Sequence, residues 1–346
     1  MSSAPALRVV TPGLNTTVQD LGRSGWQRFG VPVSGALDRV ALAAANIVVG
    51  NEPGAAALEC LYQGPLLEVM ADSVRLAVAG AGAALEIAEA GDGGVPRRVP
   101  ACESVTVERG ARVRGVIAAP SMSAYLAVAG GIAVPVVMGS RSTLVRAGLG
   151  GHRGRALRAG DELPLAQAQA GTRAEMRLPL VDLSPARLVR VVLGPQDDRF
   201  TQQALATLTA AAFTVEPASD RMGLRLAGPP LTHTRGPDII SDAIAPGAIQ
   251  VPGSGQPIIM LADRQTTGGY TKIATVISAD LPALGRVGPG AQLRFSAVSV
   301  AEAEALRRAL DAEIAGWPHR LEPASHLDPA RLYDRNLISG VVDADG

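Results

Sequence analysis

The stretch Asp263-Arg-Gln-Thr-Thr-Gly-Gly-Tyr-Thr-Lys-Ile-Ala-Thr-Val-Ile-Ser-Ala-Asp280 gathers residue types suited to oxyanion and proton chemistry. Thr266, Thr267, Gly268 and Gly269 read as a tight turn. Paired glycines admit positive φ and leave backbone N–H groups open to an anion or a carbonyl oxygen. Tyr270 and Lys272 follow at strand spacing, so they are expected on one face with Thr271 on the other. Either could hold or transfer a proton. Lys272 is the only lysine among 32 basic residues, and a lysine can lose its proton where an arginine cannot. The β-branched run from Ile273 to Ile277 predicts a buried strand that holds the turn rigid. The same residues also fit an ordinary hairpin. They do not make a P-loop, because the Gly-x-x-x-x-Gly-Lys spacing is missing and the glycines precede a strand.

Two other loops carry candidate groups. Between Thr17 and Gly35, glycines and a proline interrupt regular structure, and Gln19, Asp20 and Arg23 stand out as polar residues in a loop. They fit a substrate contact, or an Asp20–Arg23 pair that fixes the loop. Gly139-Ser-Arg-Ser-Thr143 offers Ser142 and Thr143 hydroxyls and, in Arg141, a guanidinium suited to a carboxylate or phosphate. Its alternative is an arginine bonded to nearby carbonyls. Gln250, in Gly247-Ala-Ile-Gln, lies at a strand edge, and His152, among arginines and glycines, reads as loop-fixing.

The elements that must position these groups are mostly strands. Leu58–Tyr62, Leu66–Met70, Val74–Ala79, Val105–Val107, Val113–Ala118 and Tyr125–Ala129 are short runs separated by Gly, Pro and Asp turns, as in a β-barrel or sandwich. Ser34 is a candidate cap for a helix from about Ala36 to Val49, with Gly50 as its stop. Ser299-Val-Ala-Glu302 is a capping box opening a helix striped by Leu306, Leu310 and Ile314. The fold class expected is mainly β with a few helices (α+β). We expect an N-terminal β-barrel-like domain over 1–170 and a second over 186–298. A helix and tail, 299–346, should pack on the second. A faint repeat, with Gly64-Pro65 and Gly228-Pro229 at matching points, suggests related halves with a cleft between them.

Composition narrows the function. At 346 residues the chain has room for two cores, and 3% aromatics make those cores aliphatic. Zero formal charge without a basic block argues against nucleic-acid binding. Cys60 and Cys102 read as structural thiols, and the four histidines lack metal-ligand spacing, so no metal is expected. Without a signal-like start or an apolar run of about 18 residues, a cytoplasmic protein with no membrane partner is expected.

Thr17-Val-Gln-Asp-Leu-Gly-Arg, Gly30-Val-Pro-Val-Ser-Gly-Ala-Leu-Asp, Asn46-Ile-Val-Val-Gly-Asn, Gly139-Ser-Arg-Ser-Thr, Gly247-Ala-Ile-Gln-Val-Pro and Arg264-Gln-Thr-Thr-Gly-Gly-Tyr occur in order. Together with Leu337-Ile-Ser-Gly-Val-Val they strongly resemble the biotin-dependent carboxyltransferase, or allophanate hydrolase subunit 2, family. The resemblance implies two cyclophilin-like β-barrel domains and an active site completed by a partner, subunit 1 or B, with a further A-type subunit in 5-oxoprolinases. It implies one of three roles. The first is the C-type subunit of an ATP-dependent 5-oxoprolinase, a hydrolase opening the lactam to glutamate and using ATP with Mg²⁺. The second is a carboxyltransferase half acting on a urea-like amide, with carboxybiotin supplied in trans. The third is a non-catalytic regulator that binds its partner subunit. In the enzymatic readings the substrate is a small amide. Tyr270, Lys272 and Arg141 are then catalytic candidates; Gln19, Asp20, Arg23, Ser142, Thr143, Gln250, Thr266, Thr267, Gly268 and Gly269 are substrate-binding candidates.

Overall fold

A computed structural model describes residues 5–91, 95–119 and 121–324; the tail motif at Leu337 lies outside them. The chain is mainly β with four α-helices among the described residues, as expected. In the first part, a six-stranded sheet runs in the order Glu162–Pro164, Ala6–Thr11, Leu66–Val69, Arg112–Val116, Ala84–Ala88 and Arg97–Pro100. A five-stranded sheet runs Asn15–Gln19, Ala57–Leu61, Ser123–Val128, Ser73–Ala79 and Ser104–Glu108. Alternating apolar side chains from both sheets, among them Leu7, Val18, Leu67, Leu76, Leu85 and Leu126, form one core.

The second part is a closed barrel of seven strands: Leu188–Leu193, Lys272–Val276, Ala248–Gln250, Ile258–Met260, Gly223–Ala227, Ala212–Val215 and Gln292–Ala297. Closure leaves no free edge in this sheet. Its core of Val189, Phe213, Ile249, Ile273 and Phe295 also takes in Leu37, Leu61 and Met122 from the first part, so one apolar cluster spans both. A separate two-stranded ribbon, Asp238–Ala243 with Thr267–Tyr270, feeds directly into the barrel strand that begins at Lys272.

The helix Arg39–Val49 lies on the outer face of the five-stranded sheet. Its alanines let the helix backbone approach Ala77, Ala79 and Ala127 closely. The expected cap was Ser34; the observed cap is Asp38, whose Oδ1 accepts from Val40 and Ala41 N–H at 3.0 Å each. Ser34 cannot cap because it sits in the left-handed region, φ 55°, well short of the first turn. The capping box of Ser299 and Glu302 is present. The helix it opens, Val300–Gly316, does not pack on the barrel as expected. Leu310 and Ile314 join Trp317 in the cluster around helix Arg39–Val49, and Arg39 Nη1 meets Asp311 Oδ1 at 3.0 Å.

Both cysteines are free and buried, and burial pushes each thiol up to about 12. No helix among the described residues is long and apolar enough to cross a membrane.

Candidate functional site

At one end of the barrel, strand Leu188–Leu193 runs out, strand Ala248–Gln250 ends and strand Lys272–Val276 begins. Four sequence-nominated residues meet there: Gln250, Gly268, Tyr270 and Lys272. Lys272 pairs across the sheet with Gln250, and its backbone is clamped by Gln196, whose Oε1 accepts from Lys272 N at 3.0 Å. The lysine side chain is almost fully buried, yet its Nζ reaches Asp242 Oδ2 at 2.8 Å on the ribbon. The Lys272 ammonium and the Ala243 N–H hold Asp242 below the ordinary carboxylate range. Half of the Asp242 side chain is in solvent, so the pair is buried on the lysine side and open on the carboxylate side.

Gln250 completes this end. It is 2% exposed and its Nε2 has no partner among the described residues. A Cβ on Gly268 would fall 2.9 Å from that nitrogen and 2.6 Å from Ile244 Cδ1, so a side chain there would push on the tips of Gln250 and Ile244. A buried amide N–H without an acceptor is costly. Beside a lysine ammonium, it is also a preset donor for an incoming oxygen.

Two expectations for this stretch are corrected. Thr266 to Gly269 do not form a tight turn of left-handed glycines: Gly268 and Gly269 have no positive φ, and Thr267–Tyr270 is a strand paired with Asp238–Ala243. Nor do Tyr270 and Lys272 share a face. The chain passes from the ribbon into the barrel at Thr271, which is fully buried with its Oγ1 3.1 Å from His233 Nε2, leaving Tyr270 exposed and Lys272 inside. Thr266 serves through its backbone, accepting from Ile244 N at 3.0 Å, and Thr267 is exposed on the ribbon.

The other nominated residues converge on a different place. Asp20 Oδ1 accepts from Ser140 Oγ at 2.6 Å, from Gly22 N at 2.8 Å and from Ser142 Oγ, while Oδ2 accepts from Arg141 N at 2.6 Å. Burial pushes this carboxyl up, but the two hydroxyls and two N–H groups outweigh it and the net direction is down. Gln19 Nε2 donates to Thr17 Oγ1 at 2.9 Å and Thr143 O at 3.0 Å; Thr143 Oγ1 donates to Val18 O at 2.9 Å. Arg141 Nε donates to Val134 O at 3.0 Å and Arg23 Nη2 to Ser142 O. Thus Asp20 and Arg23 fix the two loops together without pairing to one another. The knot spends most of its donors and acceptors internally, and Arg23 Nε and Nη1 and Gln19 Oε1 are buried with no partner among the described residues.

Between the two parts lies a sealed charge network that sequence reading missed. Arg221 Nε donates to Asp263 Oδ2 at 2.8 Å, its Nη2 to Gly35 O at 2.6 Å, and its Nη1 to Glu59 Oε1. Burial opposes the charge on Arg221, and the Glu59 and Asp263 carboxylates more than restore it. Tyr125 donates to Glu59, and burial with that neighbouring carboxylate drives its phenol far up. Farther along, Arg286 grips Asp38 through Nε at 2.6 Å and Nη2 at 3.1 Å. The Ser34 hydroxyl lies 2.6 Å from Asp263 Oδ1 and 3.3 Å from Thr143 O, joining the network to the knot. Glu59 sits in the apolar strand run Ala57–Leu61 and Arg221 in the turn before strand Gly223–Ala227, next to Asp220, so nothing local marked them as partners. Asp242 was missed because it lies in a polar-flanked strand far from Lys272 in sequence.

Residues 29–297 match the family described as "Carboxyltransferase domain, subdomain A and B". Over 292 residues the chain is 38% identical to the C subunit of 5-oxoprolinase from Haemophilus influenzae, covering 84% of this chain and 91% of that one. Over 297 residues it is 35% identical to the corresponding C subunit from Escherichia coli, covering 86% and 93%. The crystal structure of the K. lactis urea amidolyase superposes with a TM-score of 0.82 at 30% identity, over 92% of this chain but only 20% of that one.

Proposed function

Because the chain belongs to the carboxyltransferase-domain family, subdomains A and B, we propose that it is the C-type subunit of a heteromeric 5-oxoprolinase. The assembly opens the lactam of 5-oxoproline to glutamate at the expense of ATP, in a site shared with a partner subunit of type B and served by one of type A. The observation that carries this reading is the Lys272–Asp242 pair beside the unpartnered Gln250 amide, at an end of the barrel open to solvent. Ring opening adds water across the amide C–N bond and builds negative charge on the carbonyl oxygen. Lys272 Nζ and Gln250 Nε2 are donors fixed before substrate arrives, so they stabilise that charge without reorganising. Asp242 orients Lys272 through the 2.8 Å bond to its Nζ. Tyr270, exposed on the ribbon, has the reach of a group that meets substrate or partner.

ATP with Mg²⁺ would supply the driving force for an otherwise unfavourable lactam opening. The residues of this chain fit a phosphate site at the barrel end poorly: Gly268 is paired within the ribbon without a left-handed turn, and Arg141 lies away from it in the Asp20 knot. No group of three potential metal ligands occurs among the described residues. The nucleotide-holding groups are therefore assigned to the partner subunits, and no step on this chain is routed through the nucleotide.

A second reading draws on the urea amidolyase likeness. The same donors could stabilise charge on a urea-like amide during carboxyl transfer from carboxybiotin supplied in trans. One experiment separates the two. The chain is co-purified with its B and A partners, and phosphate release from ATP is measured with and without 5-oxoproline. Release that depends on 5-oxoproline, with glutamate formed, supports the lactam-opening reading. An assembled complex that stays silent with 5-oxoproline but accepts carboxyl from carboxybiotin would replace it.

A further inference from the structure

Five arginines are buried among the described residues, and four of them face a carboxylate. Arg75 meets Glu175, Arg221 meets Glu59 and Asp263, and Arg286 meets Asp38. Arg23 feels the Asp20 and Asp263 carboxylates, which favour its charge. Arg264 is the exception. It is 2% exposed, and the carboxylate next to it in sequence, Asp263, is taken by Arg221 and Ser34. Burial pushes the Arg264 guanidinium down to about 10, with no anion to restore it. A buried cation without a counter-ion is costly to fold around, and a charge kept at such cost is a binding-site candidate.

Two of its nitrogens are committed, both to neutral carbonyls: Nε donates to Ile244 O at 3.0 Å and Nη1 to Leu261 O at 3.2 Å. Nη2 has no acceptor among the described residues and, unlike Arg23 Nε and Nη1, is not sealed. The neighbours of Arg264 put it beside the barrel end. Ile244, which takes Nε, follows Ala243, whose O lies 3.4 Å from Lys272 Nζ. The Ile244 side chain packs on Ala248 and Met260, which alternate with the core residues Ile249 and Ile259 and so lie on the outer face of the barrel wall. Ile244 Cδ1 also shares with Gln250 Nε2 the space against Gly268. Lys272, Gln250 and Arg264 thus all reach one short piece of the ribbon, at Asp242–Ile244 and Gly268.

On the lactam-opening reading, on which this inference rests, the substrate carries a free carboxylate as well as the lactam carbonyl; a urea-like amide carries none. We propose that Arg264 is the carboxylate anchor of the site. Its Nη2 donates to the substrate carboxylate while Lys272 and Gln250 hold the lactam oxygen, so the site selects a lactam acid over a neutral amide.

The test is calorimetric binding, without ATP, of 5-oxoproline and of the neutral lactam 2-pyrrolidinone to the chain assembled with its B and A partners. The unmodified complex should bind the acid about tenfold or more tightly than the neutral lactam. Arg264→Gln should remove most of that preference and leave 2-pyrrolidinone binding as it was. Arg264→Lys, which keeps the charge, should retain part of it. A purely structural role would weaken both lactams together, with no rescue by lysine. Equal binding of the two lactams by the unmodified complex overturns the proposal without recourse to any variant. So does a preference that survives Arg264→Gln, or no binding of either lactam. An Arg264-dependent preference for the acid, in a complex that releases no phosphate from ATP with 5-oxoproline present, would keep the anchor and sink the lactam-opening reading instead.

Discussion

The Asp20 knot and the barrel end around Lys272 are built from the same kinds of residue, and they differ in what is left over. In the knot, one carboxylate takes four donors, the Ser140 and Ser142 hydroxyls and the Arg141 N–H among them, and the atoms without a partner among the described residues, on Arg23 and Gln19, are sealed inside the protein. At the barrel end, Lys272 is buried against a carboxylate that is half in water, and Gln250 keeps an amide N–H with nothing to bond. Polar density in a glycine-rich loop therefore marks two different things. Groups sealed inside the protein position the chain; groups that open to solvent, as Asp242 does beside Lys272, are those that a substrate can engage.

The largest effect expected is on the sealed side of this contrast. Arg221→Met would leave Glu59 and Asp263 as buried carboxylates without their cation, at a cost of about 3–5 kcal/mol in urea unfolding. A loss near that of a surface pair, about 1 kcal/mol or less, would mean the network is not sealed. Next comes Lys272→Met. Removing one preset donor should lower kcat of the assembled complex by about 10²–10³, while the unfolding midpoint moves little because the Asp242 left behind is solvated. Equal losses of stability and activity would blur the distinction between the two regions.

Asp20→Asn sharpens the contrast from the other direction. It removes a charged acceptor from two hydroxyls and two N–H groups, so a stability loss of about 1–3 kcal/mol is expected with kcat per folded molecule unchanged. The smallest effect is on pH. The folded Asp20 carboxyl titrates below its unfolded value, so its contribution is complete above the unfolded pKa and is lost as pH falls through the folded one. Unfolding midpoints of the unmodified chain and of Asp20→Asn should therefore converge as pH falls below about 4. A constant gap would show that Asp20 does not act through its charge.

Much of the scaffold was legible in sequence. The strands around Leu58, Leu66, Val74, Val105, Val113 and Tyr125 were found because period-two alternation and Gly, Pro and Asp turns are local signals. Asn15–Gln19 was missed because its strand is polar in composition; all but its first residue are buried, by tertiary packing that no local window contains. The helix cap moved from Ser34 to Asp38 for a similar reason: Arg286, far along the chain, stabilises the Asp38 carboxylate there.

The candidate site was half legible. Lys272, Gln250 and the ribbon glycines were nominated by residue type, since a lone lysine and paired glycines are visible in one dimension. Asp242 and Gln196 were not, because only strand pairing and the turn after Leu193 carry them to Lys272. The paired glycines were expected to open a turn, whereas Gly268 lies in a strand with the Gln250 side-chain tip close against it. Sequence shows that a glycine is there; whether it supplies a left-handed φ or an absent Cβ depends on the neighbour it meets.

The most direct test of catalysis at the barrel end compares two complexes in one assay. Complexes carrying Lys272→Met and Asp20→Asn are assembled with the B and A partners, adjusted to equal folded concentration, and assayed for 5-oxoproline-dependent phosphate release. Near-complete loss with Lys272→Met and unmodified turnover with Asp20→Asn is the expected result. Full turnover with Lys272→Met, or loss confined to Asp20→Asn, would move the chemistry away from the barrel end.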